Sequence, residues 1–220
     1  MNVVYLHGFA SGPGSSKARF FERKFREIGL RLVIPMLDEG DFEHLTITRQ
    51  LDVIGRAAGS GPVTLIGSSL GGYLAALYGA RHPEVERLVL MAPAFCFARR
   101  WLAMLGPEEM DRWRETGYRN FYHYGQSREC ALFYGLMEDG LHYEDFPRVT
   151  SPTLILHGTS DTVVPIALSA EFALRAPANA RLVPLASGHE LTDVMEPLWA
   201  ETSDFLELAG NAGVTPRPQV

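Results

Sequence analysis

The sequence predicts an α/β protein: an open, mostly parallel sheet of six strands with helices on both faces and a helical cap inserted between the fourth and fifth strands. Short β-branched runs that are apolar at consecutive positions recur six times, as strands buried on both faces require. Segments of helical period separate most of them. The interval before the fifth strand is much longer than the others and rich in aromatic residues. At 220 residues, 46% hydrophobic and 21% charged, the chain suits one domain of this kind with a substantial core.

The strands are expected at VVYLHG (3–8), RLVIP (31–35), VTLIG (63–67), RLVLMAP (87–93), TLILHG (153–158) and RLVPLA (181–186). After the first, Ser15 or Ser16 can cap a helix in which Phe21, Phe25 and Ile28 share a face and Gly29 ends the run. Ile47, Leu51, Ile54 and Ala58 repeat the spacing before Gly59. A third helix is expected from Leu70 to near Pro83, and a last one from Leu191 to Leu208. Strand, helix, strand in this order builds a parallel sheet covered on both sides.

Residues 95–146 carry 12 of the 23 aromatic residues, with Trp101 and Trp113 beside Met104, Met110 and Met137. A solvated linker would not be so apolar. Pro107 suits a first helical position ahead of Glu108 and Glu109, and Ser127 is read as capping a segment that ends at Gly140. The reading is a cap of short helices over a core formed by 1–94 and 147–209, most of the aromatics forming the cap's own core and a minority lining a cleft. Residues 210–220 read as a flexible tail.

Where the third strand gives way to the third helix, LIGSSLGGYLAA sets Ser69 between Gly67 and Gly71. G-x-S-x-G is the pattern of a nucleophile elbow, a turn so sharp that the serine is strained and exposed. Gly and Ser also make ordinary tight turns. Two distant loops separate the readings. In an open parallel sheet, loops at the C-terminal strand ends gather along one edge. Asp161 follows the fifth strand in LHGTSDTVVP, and His189 follows the sixth in LASGHEL. A serine hydroxyl needs a base to take its proton and a carboxylate to fix that base's tautomer. The candidate catalytic residues are therefore Ser69, His189 and Asp161, in the chain order Ser, Asp, His that this scaffold uses. Among the other histidines, His44 and His82 fall in or at the end of helices, His123 and His142 in the cap, and His7 and His157 before strand-end glycines, where strand packing accounts for them. Asp139, Glu144, Asp145 and Glu190 are poorer candidates for the acid.

A tetrahedral oxyanion would need two backbone donors, expected at Leu70, where a helix begins, and at Phe9 in the glycine-rich loop HGFASGPGSS. That loop lacks G-x-x-x-x-G-K-[ST] and the third glycine of a dinucleotide fingerprint, so nucleotide binding is rejected. His189-Glu190-Leu191-Thr192-Asp193 breaks H-E-x-x-H at its last position, so no metal is expected. No cofactor is called for.

The elbow GSSLGG, the loop YLHGF with Ser11 and Lys17-Ala18 downstream, HG-x-x-D after the fifth strand and GH before the last helix resemble the α/β-hydrolase superfamily. The opening YLHGFASGPGSSKA is similar to that of the small YqiA-type esterases. The resemblance spans nearly all of the chain outside the cap and tail. It implies a serine hydrolase with Ser69 as nucleophile, His189 as base and Asp161 as orienting acid, in a trimmed fold whose residue 2 begins what resembles the third strand of the full-length sheet.

The expected chemistry is cleavage of carboxylic esters through an acyl-Ser69 intermediate. A thioesterase with the same three residues is the alternative, and a hydrolase fold kept only to bind ligands is the other. A net charge of -6 with no basic stripe disfavours nucleic acid, and Arg99 and Arg100 read as solvated cap charges. No run approaches the ~20 apolar residues of a membrane span, and no leader is expected ahead of the first strand. A small-molecule ester or thioester is the expected partner, the cytoplasm the expected compartment, and Cys96 and Cys130 are expected as reduced thiols.

Overall fold

The computed structural model describes residues 1–176 and 178–208. Its main sheet has six strands: β1 (Val3–Leu6), β2 (Leu32–Val33), β3 (Val63–Ser68), β4 (Val85–Met91), β7 (Thr153–Gly158) and β8 (Ala180–Leu185). Their spatial order is β2-β1-β3-β4-β7-β8, and every pairing is parallel. All six predicted strands are present. The chain leaves β1 toward β2, then returns to place β3 on the other side of β1 and continues in that direction. The switch point between β1 and β3 opens a crevice at their C-terminal ends.

Alternate residues of each strand feed two separate cores. Val3, Tyr5, Ile66, Val89, Met91, Leu154 and Leu156 pack with Phe21 and Phe25 of α1 (Ser16–Glu27) and Leu198 of α7 (Met195–Phe205). Val4, Leu6, Leu65, Leu88, Leu90 and Ile155 face α2 (Ile47–Ala58), α3 (Leu70–Gly79) and Phe172 of α6 (Ile166–Arg175). Both faces are thus dry, which explains why the strands read as unbroken apolar runs. α3 stops at Gly79, short of Pro83, and α7 starts later than predicted because Leu191 takes a left-handed conformation ahead of a 3-10 turn at Thr192–Val194.

The inserted segment contains α4 (Phe97–Thr116), strands β5 (Tyr118–His123) and β6 (Arg128–Phe133), and α5 (Gly135–Gly140). The expectation of helices throughout is corrected here, since β5 and β6 pair as an antiparallel hairpin. Ser127 sits in its turn with φ 53° rather than at a helix start. Phe121, His123, Cys130 and Leu132 point inward, but the outward positions Tyr118, Tyr122 and Phe133 are aromatic too, so the period-2 pattern is masked. α4 breaks at Gly106, φ 77°, and Pro107 begins its second half as its sequence position suggests. Trp113, Leu132, Tyr134 and Met137 join the core on the α2/α3 side of the sheet, so the insertion packs as part of the domain. The predicted tail at 210–220 lies outside the described residues.

Candidate active site

The turn from β3 to α3 is built by steric necessity. A Cβ on Gly67 would collide with the Gly71 carbonyl, and one on Gly71 with the Leu6 carbonyl. Ser69 between them has φ 54° and ψ -119°, a conformation that costs a non-glycine residue roughly 1–3 kcal/mol. It is held there by its neighbours: Ser69 N–H donates to the Met91 carbonyl at 2.9 Å, and its own carbonyl accepts from Gly72 at 2.9 Å and Ala94 at 3.0 Å.

Two other strand ends bring the partners. Ser69 Oγ lies 3.0 Å from His189 Nε2, and His189 Nδ1 lies 2.8 Å from Asp161 Oδ2. The three predicted residues therefore meet, from loops 120 and 28 positions apart in sequence. His189 is 12% exposed while the Asp161 side chain is fully covered, so the imidazole is reachable from solvent and its carboxylate partner is dry. The loops are stitched together by Thr159 N–H to Leu185 O at 2.8 Å and Ser160 N–H to Ser187 O at 3.0 Å. Gly158 permits this crossing, because a Cβ there would strike the Ser187 and Gly188 carbonyls. The far side of the histidine loop is held by Lys17 Nζ, donating to the Glu190 carbonyl, and by Ser187 Oγ, donating to Asp193.

Asp161 is arranged to stay ionised. Burial opposes its charge, but the N–H groups of Val164 and Val163, each 2.8 Å from Oδ1, and the His189 ring outweigh it and hold the carboxyl below its ordinary range. His189 Nδ1 faces that carboxylate and so carries a proton, leaving Nε2 as the acceptor toward Ser69.

Leu70 opens α3 directly after the serine, and the loop after β1 passes beside it: a Cβ on Gly8 would stand 3.4 Å from Ser69 Cβ. Among the described residues, neither the Phe9 nor the Leu70 amide N–H has an acceptor in the protein. The Phe9 ring is edged by Trp101 at 4.9 Å, Phe121 at 5.4 Å and Phe42 at 5.5 Å between centroids, so cap aromatics wall this side. The Tyr124 N–H also donates to the Ala10 carbonyl at 2.7 Å, tying the hairpin to the loop.

Three contributors escaped the sequence reading. His7, assigned to strand packing, places Nδ1 3.0 Å from the Gly8 carbonyl and Nε2 3.3 Å from the Leu37 N–H. His157 places Nε2 3.1 Å from Asp161 Oδ2. Arg100 is no solvated charge: it is partly buried and donates to the Val163 carbonyl of the acid loop. Arg99 is, at 75% exposed, although it pairs with Asp145 at 3.0 Å. Three of the rival histidines are engaged elsewhere, His44 with Asp41, His82 with Glu84 and Tyr78, and His123 beside Asp38. Cys96 and Cys130 are free thiols, and no helix among the described residues is long and apolar enough to cross a membrane.

Comparison with known proteins agrees with this architecture. Alpha/beta hydrolase domain-containing protein 10 from mouse superposes with a TM-score of 0.78 at 21% identity, covering 93% of this chain and 89% of that one. Est1E from Butyrivibrio proteoclasticus gives 0.69 at 19% identity, with 93% and 88% covered. A hydrolase named GrgF from Penicillium gives 0.72 at 14%, with 93% and 88% covered. No curated protein matches the sequence. These likenesses establish the α/β-hydrolase fold, and, since the model of one family matches residues 2–206, the chain belongs to the uncharacterised protein family UPF0227.

Proposed function

We propose that this protein is a serine hydrolase that cleaves carboxylic esters through an acyl-Ser69 intermediate. The observation that carries the reading is the unbroken line from Ser69 Oγ through His189 to a dry, ionised Asp161, on an elbow strained at the serine itself. In the first half-reaction Ser69 Oγ bonds to the ester carbonyl carbon while its proton passes to His189 Nε2. The carbonyl π pair moves onto oxygen, where the Phe9 and Leu70 N–H groups receive it. Collapse of this adduct expels the alcohol, which takes the proton back from His189. Water then attacks the acyl-serine by the same steps, releasing the acid and restoring the Ser69 hydroxyl. No cofactor or metal enters.

The aromatic wall of Phe9, Trp101 and Phe121 favours an apolar or aromatic acyl group. Est1E has been solved with ferulic acid bound, an aromatic acid on the same fold, at 20% identity to this chain. The free thiols suit a reducing compartment, so the proposal includes a cytoplasmic enzyme.

A fluorophosphonate probe is expected to add its mass at Ser69, and Ser69→Ala to lower kcat by about 10⁶ with the fold retained. Folded protein that takes up no label would instead mark a binding module. p-Nitrophenyl esters and acyl thioesters of graded length, run side by side, separate esterase from thioesterase.

A further inference from the structure

The carboxylate of Asp161 serves two imidazoles. Oδ2 lies 2.8 Å from His189 Nδ1 and 3.1 Å from Nε2 of His157, a residue of β7 with no exposed surface. The same Nε2 is 2.9 Å from the Val164 carbonyl. Both of its neighbours can only accept while the carboxylate is ionised, so Nε2 carries the ring's proton. Nδ1 stands 2.7 Å from Ser169 Oγ, on α6, and accepts from that hydroxyl. Ser169 is also without exposed surface, so water does not compete for either ring nitrogen.

A closed ring of contacts results. Val164 gives its N–H to Asp161 Oδ1 and its carbonyl to His157 Nε2, while His157 Nε2 also faces Asp161 Oδ2. One buried proton therefore reads both the carboxylate and the peptide turn that carries it. Val163 and Val164 hold Oδ1 and His189 Nδ1 holds Oδ2, so the orientation of the carboxylate depends on where the Val163–Val164 turn is held. His157 gives its Nε2–H to the Val164 carbonyl, which holds that turn, and stands 3.1 Å from Oδ2, which sets the carboxylate against the His189 ring.

We propose that His157 is a positioning residue for Asp161, acting through it on His189, and that Ser169 fixes the tautomer in which it does so. The proposal rests on Asp161 being the orienting acid of the reaction above. It extends the line of contacts to five residues: Ser169, His157, Asp161, His189 and Ser69.

The test uses p-nitrophenyl butyrate turnover, fluorophosphonate labelling and ¹⁵N NMR of histidine-labelled protein. His157→Leu deletes the donor, whereas His157→Gln can offer an amide N–H near the position of Nε2. His157→Leu is expected to lower kcat on the order of 10-fold to 100-fold with KM within about 2-fold, as a small misplacement of a reacting group does, and His157→Gln to recover most of the loss. In the wild type, His157 should show a protonated Nε2 and an unprotonated Nδ1. Equal loss in Leu and Gln variants, or unchanged kcat in both, overturns the positioning role. So does a protonated Nδ1 with a bare Nε2, a measurement that needs no variant to fold. Unlabelled wild type overturns the serine-hydrolase reading and this role with it. Labelled wild type with unaffected variants overturns this role alone.

Discussion

Two strands of the sheet run into the same dipeptide, His7-Gly8 directly after β1 and His157-Gly158 as the last two residues of β7, and the two rings are used in opposite ways. Both are buried, and burial pushes both below the ordinary imidazole pKa, against the partial offset of the Gly8 carbonyl at His7 and of the Val164 carbonyl and Asp161 at His157. At the first, Nε2 accepts from the Leu37 N–H, so the proton sits on Nδ1 and is given to the Gly8 carbonyl. At the second, the proton sits on Nε2 and faces a carboxylate. Each ring spends its one proton on the atom its loop must hold still. In a trans peptide the C=O and N–H point in opposite directions, so pinning Gly8 O also orients the Phe9 N–H. In the proposed mechanism, one loop is fixed in order to offer a donor, the other in order to offer an acceptor.

The largest expected effect breaks the acceptor side. Asp161→Asn keeps an oxygen for Val163 and Val164 but turns an amide NH₂ toward His189 Nδ1 and His157 Nε2, both donors. His189 is forced into the wrong tautomer, and kcat is expected to fall on the order of 10⁴-fold with little change in circular dichroism. A variant within 10-fold of the wild type would remove Asp161 from the mechanism.

The donor side should fail more gently. His7→Leu releases the Gly8–Phe9 peptide and leaves the buried Leu37 N–H unpaired, at about 1–3 kcal/mol of stability. Loss of one oxyanion donor sets the ceiling on the rate effect, on the order of 10²- to 10³-fold in kcat. The comparison sharpens with amides. An Asn side chain places its N–H where Nδ1 stands and a Gln where Nε2 stands, so His7→Asn should recover activity better than His7→Gln, the reverse of the order expected at 157. The same preferred amide at both positions would mean that the rings matter by volume alone.

This pair also marks how far the sequence could be read. Ser69, Asp161 and His189 were legible because each stands in a loop after a strand whose consecutive apolar residues announce it, and because Gly67 and Gly71 have no freedom to be anything else. His7 and His157 stand in equally legible places, yet the sequence shows only a polar residue before a glycine. Their roles depend on Leu37, 30 positions away, and on Ser169, 12 positions away on another element. Arg100 was misread for the same reason, since its acceptor at Val163 lies 63 positions on. The hairpin of β5 and β6 was hidden by a different cause. Its outward tyrosines and Phe133 are as apolar as its inward face, so neither period stands out.

The smallest effect separates the rings from the carboxylate by pH. A histidine held neutral in the folded protein takes no proton there, while in the unfolded chain it takes one below about pH 6.5. Unfolding then consumes protons, so stability falls as pH drops, by up to about 1.4 kcal/mol per pH unit for each ring. Asp161, depressed below its ordinary value, behaves differently. Its contribution is intact above about pH 4, where the unfolded carboxyl is also ionised, and is lost only as pH falls further through its folded pKa. Urea denaturation from pH 7 to 3 should therefore show two separable losses. The double variant His7→Asn/His157→Gln should flatten the limb that begins near pH 6.5 relative to wild type, and Asp161→Asn should flatten only the limb below pH 4. If the double variant and the wild type run parallel from pH 7 to 5, the two rings take up their second proton in the folded protein over the same range as in the unfolded chain, and burial does not hold them in the single-proton form on which the contrast between the two strand ends depends.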